Sequence, residues 1–197
     1  MPKSCCPHSN AGFFLDGPYP HNYHAFESEN YILQKLDPEQ LRGAMRGWSA
    51  GVTVVTAAVD GQIHGMTVNS FTSISLDPPL ISVALKQLTH THELVVKSGM
   101  FSVTILTAAQ KELSDRFAGK LPNITNRFEG VQTETISLDS PVFKHGMAYF
   151  DCHVLSSMPV GENTLFVAEV LDARGEGEGE PLVYHNRQFW KLASPSP

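Results

Sequence analysis

Two short tracts hold the side chains best suited to chemistry. The first is His64–Leu80, HGMTVNSFTSISLDPPL, rich in hydroxyls and amides and stopped by a double proline. Read as one extended run, it puts Thr67, Asn69, Phe71, Ser73 and Ser75 on one face. Val68, Ser70, Thr72, Ile74 and Leu76 fall on the other. Small hydrogen-bonding groups on both faces suit a strand whose edge or end meets a polar, planar ligand. A purely structural strand would carry more Val and Ile there. The second tract is Lys86–His92, KQLTHTH. A cation follows a predicted strand, and Thr89 and Thr91 then open a predicted helix. Free amide N–H groups and the helix dipole make such a terminus an anion site. Lys86, Thr89 and Thr91 would add donors to a phosphate. The plainer alternative is that Thr89 or Thr91 caps the helix and Lys86 is a surface lysine.

Other chemistries find less support. His90 and His92, two residues apart on a helix, face away from each other and do not make a metal pair. Cys5, Cys6, His8, His21 and His24 offer soft ligands. Their spacing is not a standard zinc pattern, and adjacent cysteines chelate poorly, so no metal is expected. The chain has no G-x-S-x-G, H-E-x-x-H, P-loop or G-x-G-x-x-G motif. No catalytic side chain is singled out.

The elements that must position these tracts are mostly strands. Residues 1–36 read as an extension of Pro, Gly, His, Asn and aromatics without periodicity, and 37–197 as the domain proper. Asp37 is the candidate N-cap of a first helix, Pro38 suits its first position, and Leu41, Ala44, Met45 and Trp48 form an apolar stripe. GVTVVTAAV reads as a strand, and Asp60-Gly61 turns it into QIHGMTVNSFTSIS. LISVALK is the next strand, and THELVVKSG a helix closed by Gly99. FSVTILT is a strand, and AAQKELSDRFAG a helix with Leu113 and Phe117 four apart. Residues 120–145 read as a loop with a short strand. MAYFDCHVLSSMPV, NTLFVAEVLDA, PLVYH and QFWKL are further strands, with GEGEGE (175–180) a solvated loop among them. Strands at hairpin spacing argue against a doubly wound sheet. A closed or partly closed antiparallel barrel removes sheet edges and is the economical architecture.

Bulk properties bound the function. With 197 residues, 42% hydrophobic and 17% charged, the chain is long and apolar enough for one well-cored domain. A net charge of −6 gives no general attraction to nucleic acid. No apolar run approaches the roughly 20 residues that span a bilayer. Three cysteines without a framework fit a reducing compartment, and the cytoplasm is expected.

The ordered set of tracts resembles the short-chain flavin reductase family. It comprises GVTVVTA, HGMTVNSFTSISLDPPL, FSVTILTAAQKELSDRFAG, Pro141-Val-Phe, NTLFVAEV and PLVYHNRQFWKL, and spans roughly 38–192. The resemblance implies an antiparallel, Greek-key split β-barrel that binds flavin and forms a homodimer. It implies NAD(P)H:flavin oxidoreductase activity, with NADH or NADPH as donor and FMN or FAD as acceptor. It also implies a partner: a flavin-dependent monooxygenase that receives the reduced flavin. Carried over residue by residue, Thr67, Val68, Asn69, Ser70 and Ser73 fall at the flavin ring and ribityl chain. Lys86, Thr89, His90 and Thr91 fall at the phosphate, and Phe117 and Ala118 in the pocket lining. The family usually carries Gly-Asp-His where this chain has Gly161-Glu162-Asn163. An amide neither carries charge nor stacks like imidazole, so Asn163 would serve the nicotinamide differently, with Tyr184 or His185 contributing. An alternative is a flavin-dependent electron-transfer protein that does not freely turn over nicotinamide. A third reading is a small β-barrel binding module without redox function.

Overall fold

Val54 and Val55 point to opposite faces of one strand, and both are fully buried. That double burial needs a layer on each side of the sheet. The computed structural model describes residues 36–175 and 179–192. Residues 1–35 of the 1–36 extension, with its Cys/His group and aromatics, 176–178 of the GEGEGE loop and 193–197 lie outside the described residues.

A seven-stranded antiparallel sheet forms the body. Its strands are β2 (Thr53–Val59), β3 (Gln62–Val68), β4 (Thr72–Leu76), β5 (Pro79–Lys86), β6 (Met100–Ile105), β9 (Ala148–Val160) and β10 (Asn163–Gly175). They lie in the order β3-β2-β6-β9-β10-β5-β4. One face encloses a core of Val55, Ala57, Val83, Leu85, Phe101, Val103 and Phe166. Helix α2 (His90–Ser98) closes it with Leu94 and Val95. Thr89 caps that helix, its hydroxyl accepting from His92 N at 3.4 Å, and Gly99 ends it at φ 68. The other face packs Val52, Val54, Leu106, Phe117, Phe143 and Leu182. A 3-10 turn (Ala108–Gln110) and α3 (Lys111–Phe117) bring Phe117 there. Two small sheets complete the fold: β1 (Ala50–Gly51) with β11 (Val183–His185) and β12 (Gln188–Trp190), and β7 (Thr133–Glu134) with β8 (Val142–Phe143).

The two edges of the large sheet, β3 and β4, are consecutive in the chain. Residues 69–71 carry the backbone from one edge to the other. Ser70 fixes this crossing: its hydroxyl donates to Ala84 O at 2.9 Å and accepts from Ala84 N at 3.1 Å. One side chain thus replaces a ladder pair between the β3 end and β5, which makes the fold a split β-barrel. Residues 62–75 are therefore not one strand. The alternation read along them breaks at Asn69, and Phe71 turns in against the core, 5.4 Å from the Phe150 ring. The first strand is likewise two pieces, because β1 leaves the large sheet to pair with β11.

The first helix, α1 (Pro38–Met45), starts as read, with the Asp37 carboxylate accepting from Glu39 N at 3.0 Å. Its stripe is not covered by any described residue: Leu41, Met45 and Trp48 are all exposed. Segment 120–145 is tied down by Asp151 in β9. Its buried carboxylate accepts from Ser102 Oγ (2.6 Å), Ser137 N (2.7 Å), Ser137 Oγ (2.9 Å) and Leu138 N (2.8 Å). Burial, with Asp151 adding a smaller share, pushes the neighbouring Cys152 thiol up to about 12. It behaves as the small buried hydrophobe its apolar run indicates.

Candidate functional site

The site begins with the absence of a side chain at Gly65. A Cβ there would lie 3.0 Å from the Phe117 ring and 3.1 Å from Thr56 Cγ2. The missing methyl lets Phe117 pack against β3. Two residues on, Thr67 donates to Ser114 O of α3 at 2.7 Å. These two contacts dock α3 on β3 and set Ala118, the residue after the helix, beside the strand. Val52, Thr67, Val68, Asn69, Ala118, Lys120, Tyr184 and Phe189 then line an open groove of about 200 Å³. Most of the lining is apolar or aromatic, and Thr67, Asn69 and Lys120 add a few polar groups, a combination that suits a planar aromatic ligand. The Asn69 amide, with two donors and an acceptor, makes no hydrogen bond with another described residue.

The second tract runs along the same edge of β3. Ser70 meets Ala84 at one end, and at the other Thr91 Oγ1 lies 2.8 Å from His64 Nδ1. Between them Lys86 is exposed, with its Nζ 3.8 Å from Glu162. Thr89 donates to Lys86 O at 2.8 Å, and His90 lies 3.3 Å from Glu93. Thr91 is fully buried, and in this arrangement its hydroxyl faces His64 and not the solvent. The backbone at the start of α2 and the Lys86 ammonium remain as the accessible anion donors of this tract.

The remaining candidates separate. Ser73 is exposed on β4, paired with Ile81, and does not line the groove. Asn163 opens β10 beside Lys86, away from Tyr184, which pairs with Ala50 in the small sheet. His185 is held by Ser49 Oγ at 2.9 Å and by the Trp190 ring. His90 and His92 have different partners, His92 Nε2 lying 2.9 Å from Thr164 Oγ1.

Three residues of this region were not picked out in the sequence. His64 is half-buried, and burial, then the nearby Arg127 and His90, drive its pKa down to about 4. Arg127 donates to Gly65 O (3.4 Å) and Phe117 O (3.3 Å) from a segment with no periodicity to mark it. Phe189 stands at the groove with the Lys120 ammonium 5.3 Å from its ring centroid.

Comparison with known proteins places these features in context. The profile of the flavin reductase like domain matches residues 45–193. The NADH-dependent flavin reductase StyB of Pseudomonas fluorescens is 39% identical over 162 residues, covering 80% of this chain and 92% of its own. The reductase component of the 4-nitrophenol 4-monooxygenase/4-nitrocatechol 2-monooxygenase of Rhodococcus opacus is 34% identical, over 80% and 83%. Among solved structures, flavin reductase PheA2 superposes with a TM-score of 0.74 at 35% identity, covering 81% of this chain and all of the other.

Proposed function

This chain belongs to the flavin reductase like domain family, and from that footing we propose how its residues divide the work. The protein is an NAD(P)H:flavin oxidoreductase that uses FMN or FAD. The observation that carries our assignment of the site is the convergence of Thr67, Val68, Asn69, Ala118 and Tyr184 on one groove from β3, the end of α3 and β11.

The residues fit a flavin. Val52, Val68 and Phe189 offer apolar walls, and the Asn69 amide, which bonds no other described residue, offers a donor and an acceptor. When bound, the flavin supplies the redox chemistry, taking up the hydride that the nicotinamide releases. The protein binds and orients both partners. Phe117 and Gly65 hold the groove wall in place, and Thr67 is committed to α3. Ser70 acts by closing the barrel beneath the site. Lys86, with the first turn of α2 from Thr89 to Thr91, receives the phosphate, where charge and free amide groups coincide. Thr91 serves there as a positioning residue through His64. No acid–base pair is required, because the hydride moves between two cofactors.

Reduced flavin leaves for a partner flavin-dependent monooxygenase, in keeping with relatives that are named as reductase components. The reductase works as a homodimer. Support comes from Leu88, Val96, Met158 and Val160, large apolar side chains left exposed on the β9–β10 hairpin, on α2 and just before it. No helix among the described residues is long and apolar enough to cross a membrane. We assign the protein to the cytoplasm on its sparse cysteines.

The test is anaerobic mixing of the purified chain with NADH or NADPH and excess free FMN or FAD. Loss of visible flavin absorbance over many turnovers is expected. Bleaching of no more than one flavin per chain would make the protein a carrier and not a reductase.

A further inference from the structure

The turn between β11 and β12 is Asn186-Arg187, and both residues are left-handed, at φ 47 and 61. Two-residue hairpins of this kind favour Asn-Gly, because glycine takes the second position without strain. Arginine there carries a conformational cost that glycine would not. Its side chain makes no hydrogen bond or ion pair with another described residue.

The turn is also anchored. Asn186 N–H donates to Arg46 O at 3.2 Å, which holds Arg187 beside the end of α1. Arg42, Arg46 and Arg187, with Trp48, Asn69 and Tyr184, line a groove of about 330 Å³. Arg42 is paired with Glu39, whereas Arg46 and Arg187 have no carboxylate partner among the described residues. In a chain of net charge −6, Arg46 and Arg187 thus put two unpaired positive charges at one groove. The helix dipole accounts for arginines at the end of α1, but not for Arg187 in a strained turn. Guanidinium forks match phosphate oxygens, and Trp48, 65% exposed, adds an indole to the same lining. Asn69 and Tyr184 line this groove and also the one assigned above to the flavin ring.

We propose that the arginine groove is a subsite for a nucleoside diphosphate. The diphosphate lies against Arg46 and Arg187, with Arg42 at its edge, and the base lies against Trp48. Asn69 and Tyr184 form the border with the ring groove. The assignment of the diphosphate to a reactant of the enzyme rests on the flavin reductase reading. NADH and NADPH carry this group and FMN does not, while the diphosphate of FAD includes the phosphate assigned above to Lys86 and the start of α2.

The experiment uses the full chain and its Arg46→Gln/Arg187→Gly variant, with ADP as probe in calorimetry. Glycine relieves the turn, so Arg187→Gly alone should melt at a higher temperature than the parent. In the double variant ADP affinity should fall about tenfold or more, since two charge-assisted contacts are removed. Kinetic arms then identify the dinucleotide. With FMN as acceptor, a KM for NADH that rises about tenfold, against less than about twofold for FMN, assigns the groove to the donor. A rise in the KM for FAD without one for FMN or NADH overturns the assignment to the donor, because it moves the flavin phosphate from Lys86 to this groove. Unchanged ADP affinity overturns the subsite, and so does loss of ADP affinity with every KM unmoved. A parent chain that binds ADP through these arginines yet reduces no flavin would sink the flavin reductase reading and leave the subsite standing.

Discussion

The His64 imidazole and the Thr91 hydroxyl meet at 2.8 Å, linking the middle of β3 to the first turn of α2. Two tracts that are 27 residues apart at this pair thereby become the two sides of one seam. The seam's other end is the Ser70–Ala84 pair. Thr91 and Lys86 therefore play different parts, although both were read as phosphate ligands. Thr91→Val keeps the shape of the side chain and leaves the half-buried His64 nitrogen without its partner. We expect a loss of about 1–2 kcal/mol in urea unfolding. Lys86→Ala, at an exposed site, should alter stability by less than about 0.5 kcal/mol. It should instead weaken FMN binding in a fluorescence titration. FMN affinity indifferent to Lys86 would place the phosphate elsewhere.

The same seam gives a pH dependence. The folded-state pKa of His64 lies near 4, against 6.5 for an ordinary histidine, chiefly because it is buried. Between those values the unfolded chain binds a proton that the folded chain excludes. Stability from this group is therefore complete above pH 6.5 and is lost as the pH falls toward 4. His64→Gln should flatten the acid side of the stability profile by up to about one proton. The check is urea unfolding of both proteins across that window. Parallel profiles would mean that His64 takes up its proton as readily in the folded chain.

Much of the architecture could be read from residue patterns. The Asp37–Pro38 start of α1, Thr89 and Gly99 at the ends of α2, and the hairpin at Asp60-Gly61 are local signals with local causes. The break at 69–71 was not legible, because alternation continues on both sides of it. Nothing in a single strand's pattern says which sheet edge it will join. Arg127 was missed for a related reason. Its role is to bond the backbone oxygens of Gly65 and Phe117, and such contacts carry no sequence period. The exposed stripe of α1 shows the converse, since apolar spacing announces a face and not what covers it.

Asp151 offers a test of geometry against charge. Four donors converge on its buried carboxylate, three of them from Ser137 and Leu138. Asp151→Ala leaves those donors unmet and should cost about 3 kcal/mol. Asn can present its oxygen to Ser137 and Leu138 and donate its amide to Ser102 Oγ, which already lies 3.1 Å from Ser140 O. Asp151→Asn should therefore cost only about 1 kcal/mol. Equal losses in thermal or urea unfolding would show that the charge, and not the pattern of acceptors, holds segment 137–140.

The sequence points to both Asn163 and Tyr184 as nicotinamide contacts, yet they stand in different places. Tyr184 lines the ring groove, and Asn163 begins β10 beside Lys86, its backbone oxygen accepting from Gln87 Nε2 at 2.9 Å. Paired substitutions separate the two. Tyr184→Ala removes an aromatic wall from the groove and should raise the KM for NADH several-fold, about 1 kcal/mol of binding. Asn163→His restores an imidazole at the hairpin tip, where stacking and charge both become available. If the tip faces the nicotinamide, this variant should speed single-turnover hydride transfer without changing FMN affinity. Stability offers no competing explanation, because the Asn163 side chain is exposed. A hydride-transfer rate unchanged by Asn163→His, together with a raised KM in Tyr184→Ala, would assign the nicotinamide to the Tyr184 side alone.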